Sequence, residues 1–203
     1  MQGCPVSINI PTFVKNIERG EFLEAARVLK ETSALPAVCG RVCPQEKQCE
    51  SKCIHLKMGK PAVAIGYLER FAADYERESG NISIPEVAEK NGIKIAVVGS
   101  GPAGLSFAGD MAKRGYDVTV FEALHEIGGV LKYGIPEFRL PNKIVDVEIE
   151  GLRKMGVKFM TNCIVGKTIS YDDLHADGFK GIFAASGAGL PNFCLLYTSD
   201  AAD

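Results

Sequence analysis

The sequence lacks an excess of charge of either sign. Its 203 residues contain 23 Lys and Arg against 25 Asp and Glu, which leaves a formal net charge of −2 at pH 7. Nucleic acids and anionic membranes attract proteins with a basic excess, and this chain has none. We therefore expect no nucleic-acid partner.

Long apolar runs are also missing. A membrane-spanning helix needs about 20 predominantly apolar residues, and no segment approaches that length. The first residues lack the charged-then-apolar pattern of a secretory leader. We therefore expect a cytoplasmic protein without a membrane span. Hydrophobic residues nevertheless make up 46% of the chain, enough to form a core.

Cysteine is abundant but unevenly distributed. Of seven cysteines, five lie in the first 53 residues, and the segment VCGRVCPQEKQCESKC (38–53) contains four of them. An odd count without a leader disfavours a disulfide framework. Ligation of a metal or cluster is the stronger interpretation. Zinc remains an alternative, because the spacing Cys43-x₅-Cys49-x₃-Cys53 permits it and His55 can join.

The two halves of the sequence differ in pattern. Residues 1 to about 90 show helical periodicity over 22–29 and 65–75, with the breaker-rich segment 78–85 as a linker. The cysteine segment has no periodicity and predicts a loop. The second half alternates strands and helices. Strands are predicted at 93–98, 116–121, 157–160 and 181–185, and helices at 102–114 and 142–155, with Asn142 as an N-cap.

A glycine signature joins the first two predicted strands. The motif Gly99-Ser-Gly-Pro-Ala-Gly104 follows a strand and opens a helix, and Glu122 ends the next strand. In such a βαβ unit the glycines allow a tight turn, close approach of a pyrophosphate and helix packing, while the acid accepts hydrogen bonds from a ribose. We predict a dinucleotide site that includes Gly99, Gly101, Pro102, Ala103, Gly104 and Glu122. The alternative is a structural glycine turn beside an exposed Glu122.

The glycine motif and Glu122 alone do not distinguish FAD from NAD at this site. The pair Gly128-Gly129 and the later segment GIFAASGAG (181–189) resemble those of flavoproteins with two dinucleotide-binding domains. This resemblance implies FAD as the bound dinucleotide. It adds Gly129, Ser186, Gly187 and Ala188 to the predicted site.

Four motifs in order carry a closer resemblance. The segments GRVCPQEKQCESKC, PAVAIGYLERFAAD, VVGSGPAGLSFA and GGVLKYGIPEFRLP resemble the family of the small subunit of NADPH-dependent glutamate synthase and its relatives. The resemblance implies a multidomain α+β protein. By this resemblance, residues 1–90 would form a helical [4Fe-4S] domain, and 91–193 a partial Rossmann-like FAD-binding domain. Electrons would pass between NAD(P)H, FAD and clusters.

Several functions remain open within this interpretation. The partner implied for the glutamate synthase small subunit is the large subunit of that enzyme. The alternatives are a ferredoxin:NADP transhydrogenase or a pyrimidine reductase of the same superfamily, each with another electron-transfer partner. A non-enzymatic cysteine-rich docking module is a further alternative.

The resemblance also assigns the cluster ligands. It implies that Cys4, followed by a proline, joins Cys43, Cys49 and Cys53 around one cluster, as the C-P cysteine does in two-cluster ferredoxins. Cys39 is then a small buried residue rather than a ligand. Glu69 matches a carboxylate ligand of a second cluster, whose three cysteines would precede Cys4. The alternative for Glu69 is a solvated surface acid.

Both ends of the sequence depart from the family pattern. We expect an N-terminal truncation, so that one complete cluster at most can assemble. The final decapeptide CLLYTSDAAD (194–203) resembles a translated sequencing adapter, and we expect it to be non-native. The NAD(P)H domain of the complete protein would be missing. We therefore expect weak FAD binding by this chain alone and no turnover.

Overall fold

The structure is a computed structural model that describes residues 3–188. The predicted decapeptide tail and Gly189 lie outside the described residues. The helical first half is built from helices joined by short turns. Its helices are α1 (Ile10–Glu18), α2 (Phe22–Thr32), α3 (Pro36–Val42), α4 (Ile54–Lys57) and α5 (Ile65–Ser79), and two 3₁₀ turns, Gln45–Lys47 and Glu50–Lys52, lie between α3 and α4.

The second half alternates strands and helices. These are β1 (Lys94–Val98), α6 (Pro102–Lys113), β2 (Asp117–Phe121), α7 (Val130–Tyr133), α8 (Asn142–Lys154), β3 (Lys158–Met160), α9 (Tyr171–Ala176) and β4 (Phe179–Ala184). The strands form one parallel sheet in the order β3-β2-β1-β4. The predicted βαβ unit and the mixed fold class are confirmed.

The long helices follow their apolar periodicity. In α2 the residues Ala25, Ala26 and Leu29 are buried, because they share one face of the helix. Helix α5 ends at Gly80, whose left-handed backbone (φ +72°) suits glycine and terminates the helix. The predicted linker therefore begins where a C-cap glycine ends α5.

Two local predictions are wrong. The cysteine segment is not a loop throughout, since α3 runs from Pro36 and contains Cys39. Seven residues are too few to display a helical period, but proline at the first helical position favours a helix start. Asn142 is the first helical residue of α8 and not its N-cap, which is Pro141. The Asn142 N–H donates instead to the Glu137 carboxylate at 3.0 Å.

One core spans both halves of the chain. Leu35, Ala37 and Val38 belong to the same buried cluster as Ile144 and other residues of the sheet half. The Glu148 carboxylate of α8 also accepts a hydrogen bond from the Ala37 N–H at 2.6 Å, in the first turn of α3. The two halves therefore pack as one body. Their division near residue 90 stays a prediction.

Between residues 3 and 188, no helix has both the length and the apolar character needed to cross a membrane.

Candidate functional site

The glycine loop between β1 and α6 is closely packed on one side and open on the other. Gly99 has φ +99°, and a Cβ there would lie 2.3 Å from the Ala185 carbonyl oxygen. A Cβ on Gly104 would lie 2.0 Å from the Gly99 carbonyl oxygen, whereas one on Gly101 would contact no atom within 4 Å. The loop therefore leaves space at Gly101 in front of the α6 N-terminus, which no side chain caps. This space and the free helix end suit a phosphate.

Two further segments reach the same loop. A Cβ on Gly129 would lie 2.9 Å from the Gly101 Cα, so the Gly128-Gly129 turn covers the loop. The Ala185 N–H donates to the Val98 carbonyl oxygen at 2.7 Å, which places Ser186 directly after β4 beside Gly99. The structure thus brings the three glycine-containing segments predicted from the sequence to one edge of the sheet. Pro102 and Ala103 begin α6 at this edge, and Gly187 and Ala188 follow Ser186.

Glu122 is buried and connected to the loop. Its Oε2 accepts hydrogen bonds from the Ser100 N–H at 2.8 Å and from the Ser100 hydroxyl, and its Oε1 accepts one from the Leu124 N–H at 2.9 Å. With 6% exposure it is not the exposed acid of the alternative interpretation. A carboxylate oxygen accepts two hydrogen bonds. Oε1 therefore retains the capacity that a ribose hydroxyl needs.

Ser100 was missed by the sequence analysis. Its fully buried hydroxyl donates to Glu122 and accepts a hydrogen bond from the Gly128 N–H at 2.9 Å. The residue therefore links the glycine loop, the end of β2 and the Gly128-Gly129 turn. Its position in the glycine motif is a variable one, so the spacing alone could not identify it. The one indication in the sequence was that a hydroxyl residue lies between Gly99 and Gly101.

The cysteines gather around the start of the described chain. A Cβ on Gly3 would lie 2.8 Å from the Cys49 Cα, and Cys4 and Cys49 pack against the same helical core. Gly3, Cys49 and Cys53 line an open cavity of about 420 Å³. The Cys53 Sγ accepts a hydrogen bond from the Val63 N–H at 3.5 Å. Three of the four predicted thiols are therefore brought to one region.

Cys43 lies at the end of α3 and contacts Cys39. A hydrogen bond from the Cys39 thiol stabilises the Cys43 thiolate and lowers the pKa of Cys43 to about 7, although burial opposes this. The same contact, together with burial, holds the pKa of Cys39 far above its usual value. Metals bind thiolates rather than thiols. The pair thus favours Cys43 as the thiolate and Cys39, which is half-buried, as its protonated partner, and the ligand role of Cys43 stays a prediction.

Glu69 is a buried acid, not a solvated one. Its side chain is 5% exposed, and its Oε1 has no hydrogen-bond partner among residues 3–188. Burial, with the negative charges of Cys43 and Glu148, raises the pKa of Glu69 to about 8. A buried polar atom without a partner needs an explanation. Ligation of a cluster iron would provide one.

The predicted donors are of the chemical type that a [4Fe-4S] cluster binds. All six cysteines in the described part of the chain are free. No three His, Cys, Asp or Glu side chains among residues 3–188 converge closely enough to hold a single metal ion. The thiolates of a [4Fe-4S] cluster each bind a different iron, so they need not converge on one point. His55 lines the cavity of Cys49 and Cys53, which keeps zinc as the alternative to be tested.

Comparisons with known proteins identify both halves. Residues 1–81 match the family model described as dihydropyrimidine dehydrogenase domain II, 4Fe-4S cluster, and residues 97–156 match the NAD(P)-binding Rossmann-like domain. The PreT subunit of NAD-dependent dihydropyrimidine dehydrogenase from Escherichia coli K12 is 40% identical over 95% of this chain and 47% of its own length. The small chain of NADPH glutamate synthase from the same strain is 38% identical, over 91% of this chain and 39% of its own length. The Azospirillum brasilense small chain is 36% identical, over 93% and 41%.

The chain is thus similar to the glutamate synthase small chain over 91% of its length and to PreT over 95%. The predicted resemblance is therefore confirmed. The family models also confirm the predicted cofactor classes, a [4Fe-4S] cluster followed by a dinucleotide on a Rossmann-like domain. The chain spans less than half the length of these relatives. The individual ligand and cofactor residues stay predictions, supported by the geometry above.

Proposed function

We propose that this chain is the cluster- and flavin-binding part of an NAD(P)H-dependent electron-transfer oxidoreductase. The observation that carries the proposal is the shared core, which packs α3 and α5 of the cysteine-containing half against the sheet half that bears the glycine loop. A flavin accepts a hydride as an electron pair and releases electrons singly, and a cluster carries them one at a time. The two sites therefore suit consecutive steps of one electron path.

FAD is the proposed dinucleotide. The loop at Gly101 and the α6 N-terminus would face its pyrophosphate. The Oε1 atom of Glu122 would accept a hydrogen bond from a ribose hydroxyl. The negative charge of Glu122 opposes the 2′-phosphate of NADP at this site. The Gly128-Gly129 turn and the segment after β4 enclose the loop from two sides, which supports the resemblance to flavoproteins.

The cluster residues of the proposal are Cys4, Cys43, Cys49 and Cys53. Cys43 supplies a thiolate near neutral pH because the Cys39 thiol donates to it. Glu69, a buried residue of α5, is proposed as a carboxylate ligand of the second cluster. A cytoplasmic location is part of the proposal, because disulfides are rare there and the thiols stay available as ligands.

The final electron acceptor separates two functions. We propose the role of the glutamate synthase small chain, with the large subunit of that enzyme as partner. A pyrimidine reductase subunit is the second candidate, because PreT is 40% identical to this chain and the E. coli small chain 38%. Mixing the NAD(P)H-reduced whole protein with each partner subunit and its substrate separates the two, since only the correct partner would reoxidise it.

Anaerobic purification of the chain tests the proposal. We expect a broad iron–sulfur absorption, about four irons per chain and inorganic sulfide, with flavin bands after addition of FAD. The iron, zinc and sulfide content of the purified chain distinguishes a cluster from a zinc site. A colourless chain with one zinc and no sulfide would establish the docking module instead and overturn the electron-transfer proposal.

A further inference from the structure

A short surface segment beside the cysteines exposes apolar side chains. Ile54, Leu56 and Met58 are 68%, 48% and 59% exposed. They lie on α4 and the residue that follows it, within five positions of one another. Clustered apolar exposure of this kind marks interaction sites on soluble proteins.

Lysines surround these apolar side chains. Lys52, Lys57 and Lys60 are exposed and form no ion pair with any residue in the range 3–188. The nearest acids in the sequence are Glu46 and Glu50, and the Glu50 carboxylate accepts a hydrogen bond from the Gly66 N–H of α5 at 3.1 Å. We call the three lysines and three apolar residues the lysine patch. It is positive on a chain whose net charge is −2.

The lysine patch adjoins the predicted cluster ligands. Lys52 and Ile54 flank Cys53 in sequence and line the same cavity as Cys49 and Cys53. A cluster bound by these cysteines would lie directly beneath the patch. Since electron transfer slows steeply with distance, a second redox protein seated on this patch would have a short path to such a cluster.

We propose that the lysine patch docks an acidic, one-electron carrier protein or subunit. This inference rests on the proposed electron-transfer function. The exposed lysines would steer an acidic surface toward the cluster region, and the apolar residues would form the dry centre of the contact. A reduced cluster held by Cys49 and Cys53 would then supply one electron to the oxidised centre of the carrier, with no bond or proton transferred. A membrane surface is the less favoured occupant, because the four residues of α4 are too few for a helix that lies on a bilayer.

Two soluble haem proteins of opposite charge serve as probes. Oxidised cytochrome b5 soluble domain is acidic, and cytochrome c is basic. We expect the chain to bind cytochrome b5 in about 10 mM salt and to release it near 0.5 M, because salt shortens the range of charge attraction. Binding is measured without reduction, so it does not require a loaded cluster.

Charge reversal locates the contact. The variant Lys52→Glu, Lys57→Glu, Lys60→Glu should weaken cytochrome b5 binding at least tenfold. With dithionite-reduced, desalted chain, the same variant should slow haem reduction of cytochrome b5 by about 10-fold to 1,000-fold and accelerate that of cytochrome c. The matched control is Lys143→Glu, Lys154→Glu, Lys167→Glu, which makes the same charge change at exposed lysines of the sheet half and should alter either rate less than about twofold.

The outcomes separate the two proposals. Equal effects of the two variants, or equal binding of the two cytochromes, would overturn the docking site. Sedimentation of the chain with phosphatidylserine vesicles, lost in the patch variant and unaccompanied by cytochrome b5 binding, would assign the patch to a membrane. A chain that binds cytochrome b5 through the patch but assembles no cluster would instead refute the proposed function.

Discussion

The buried Ser100 hydroxyl donates a hydrogen bond to the Glu122 carboxylate and thereby joins the glycine loop to the end of β2. The same hydroxyl oxygen accepts from the Gly128 N–H. Three segments of the dinucleotide site therefore depend on one side chain. This hydrogen bond involves a charged acceptor in a buried setting, where its loss is costly.

Ser100→Ala should weaken FAD binding. Loss of a hydrogen bond to a charged group costs about 1.5–3 kcal/mol of folding stability. Because FAD binding must then restore the loop that this bond holds in place, the same cost raises the FAD dissociation constant by up to about 100-fold. Quenching of flavin fluorescence measures it. Ser33→Ala is the control, because Ser33 is also buried but its hydroxyl, among residues 3–188, hydrogen-bonds only to the Cys39 Sγ, at 4.0 Å. Equal FAD affinity in the two variants would show that the Ser100 hydroxyl does not shape the site.

Gly101→Ala should separate binding from folding. Gly101 has φ −67°, and its added Cβ would meet no protein atom, so the free energy of unfolding should change by less than about 0.5 kcal/mol. The methyl group would occupy the space in front of α6 and lower FAD affinity at least tenfold. Gly104→Ala is the contrast, since its Cβ would lie 2.0 Å from a backbone oxygen and should destabilise the fold. Undiminished FAD binding by the Gly101→Ala variant contradicts the assignment of this space.

Cys43→Ser should abolish the cluster absorption, and Cys39→Ser should retain it. The reason is that Cys43 is the thiolate of the pair and Cys39 its protonated donor. Iron and sulfide per chain after anaerobic reconstitution provide the measurement. Comparable loss of iron in both variants would mean that Cys39 is a ligand or that the pair acts as a unit.

Glu148 should make the stability of the chain depend on pH. Burial raises the pKa of Glu148 to about 7 from an ordinary value of 4.5, although the Ala37 N–H lowers it. In this situation the unfolded chain ionises first, so stability is fully present below about pH 4.5 and declines as pH rises to about 7. The decline attributable to Glu148 is about 3 kcal/mol. Urea unfolding at pH 4.5 and 7.5 measures it.

Glu148→Gln removes this titration and keeps the oxygen that accepts from Ala37. The variant should therefore lose less stability than the parent chain over the same pH interval. Glu150→Gln is the control, because Glu150 is exposed on the same helix. Parallel pH profiles of stability for the parent chain and Glu148→Gln would show that a group other than Glu148 causes the pH dependence.

The sheet half was predictable because its signals are local. The β-branched run before Gly99 and the glycines that end each helix separate strands from helices within short windows. The helix from Pro36 to Val42 was not, since it is shorter than two turns and its burial depends on α8, far along the chain. The role of Ser100 and the helical position of Asn142 were not predicted for a related reason. Their partners, Glu122 and Glu137, are identified only when the chain is folded.

Glu69 illustrates the limit of pattern reasoning. Its neighbours Leu68 and Arg70 give no indication that a carboxylate between them is buried. Only the family resemblance predicted an inward role. The burial itself arises from packing of α5 against α3, where Gly40 allows the α5 backbone near Arg70 to approach closely.

The shared core has a kinetic consequence for the proposed electron path. Because Leu35, Ala37, Val38 and Ala73 pack with Ile144 and Leu152, α3 and α5 cannot move away from the sheet half without opening a buried interface. Transfer between the two centres would therefore proceed at a fixed spacing. Its rate would be independent of solvent viscosity, unlike the rate of any step that waits for domains to swing together.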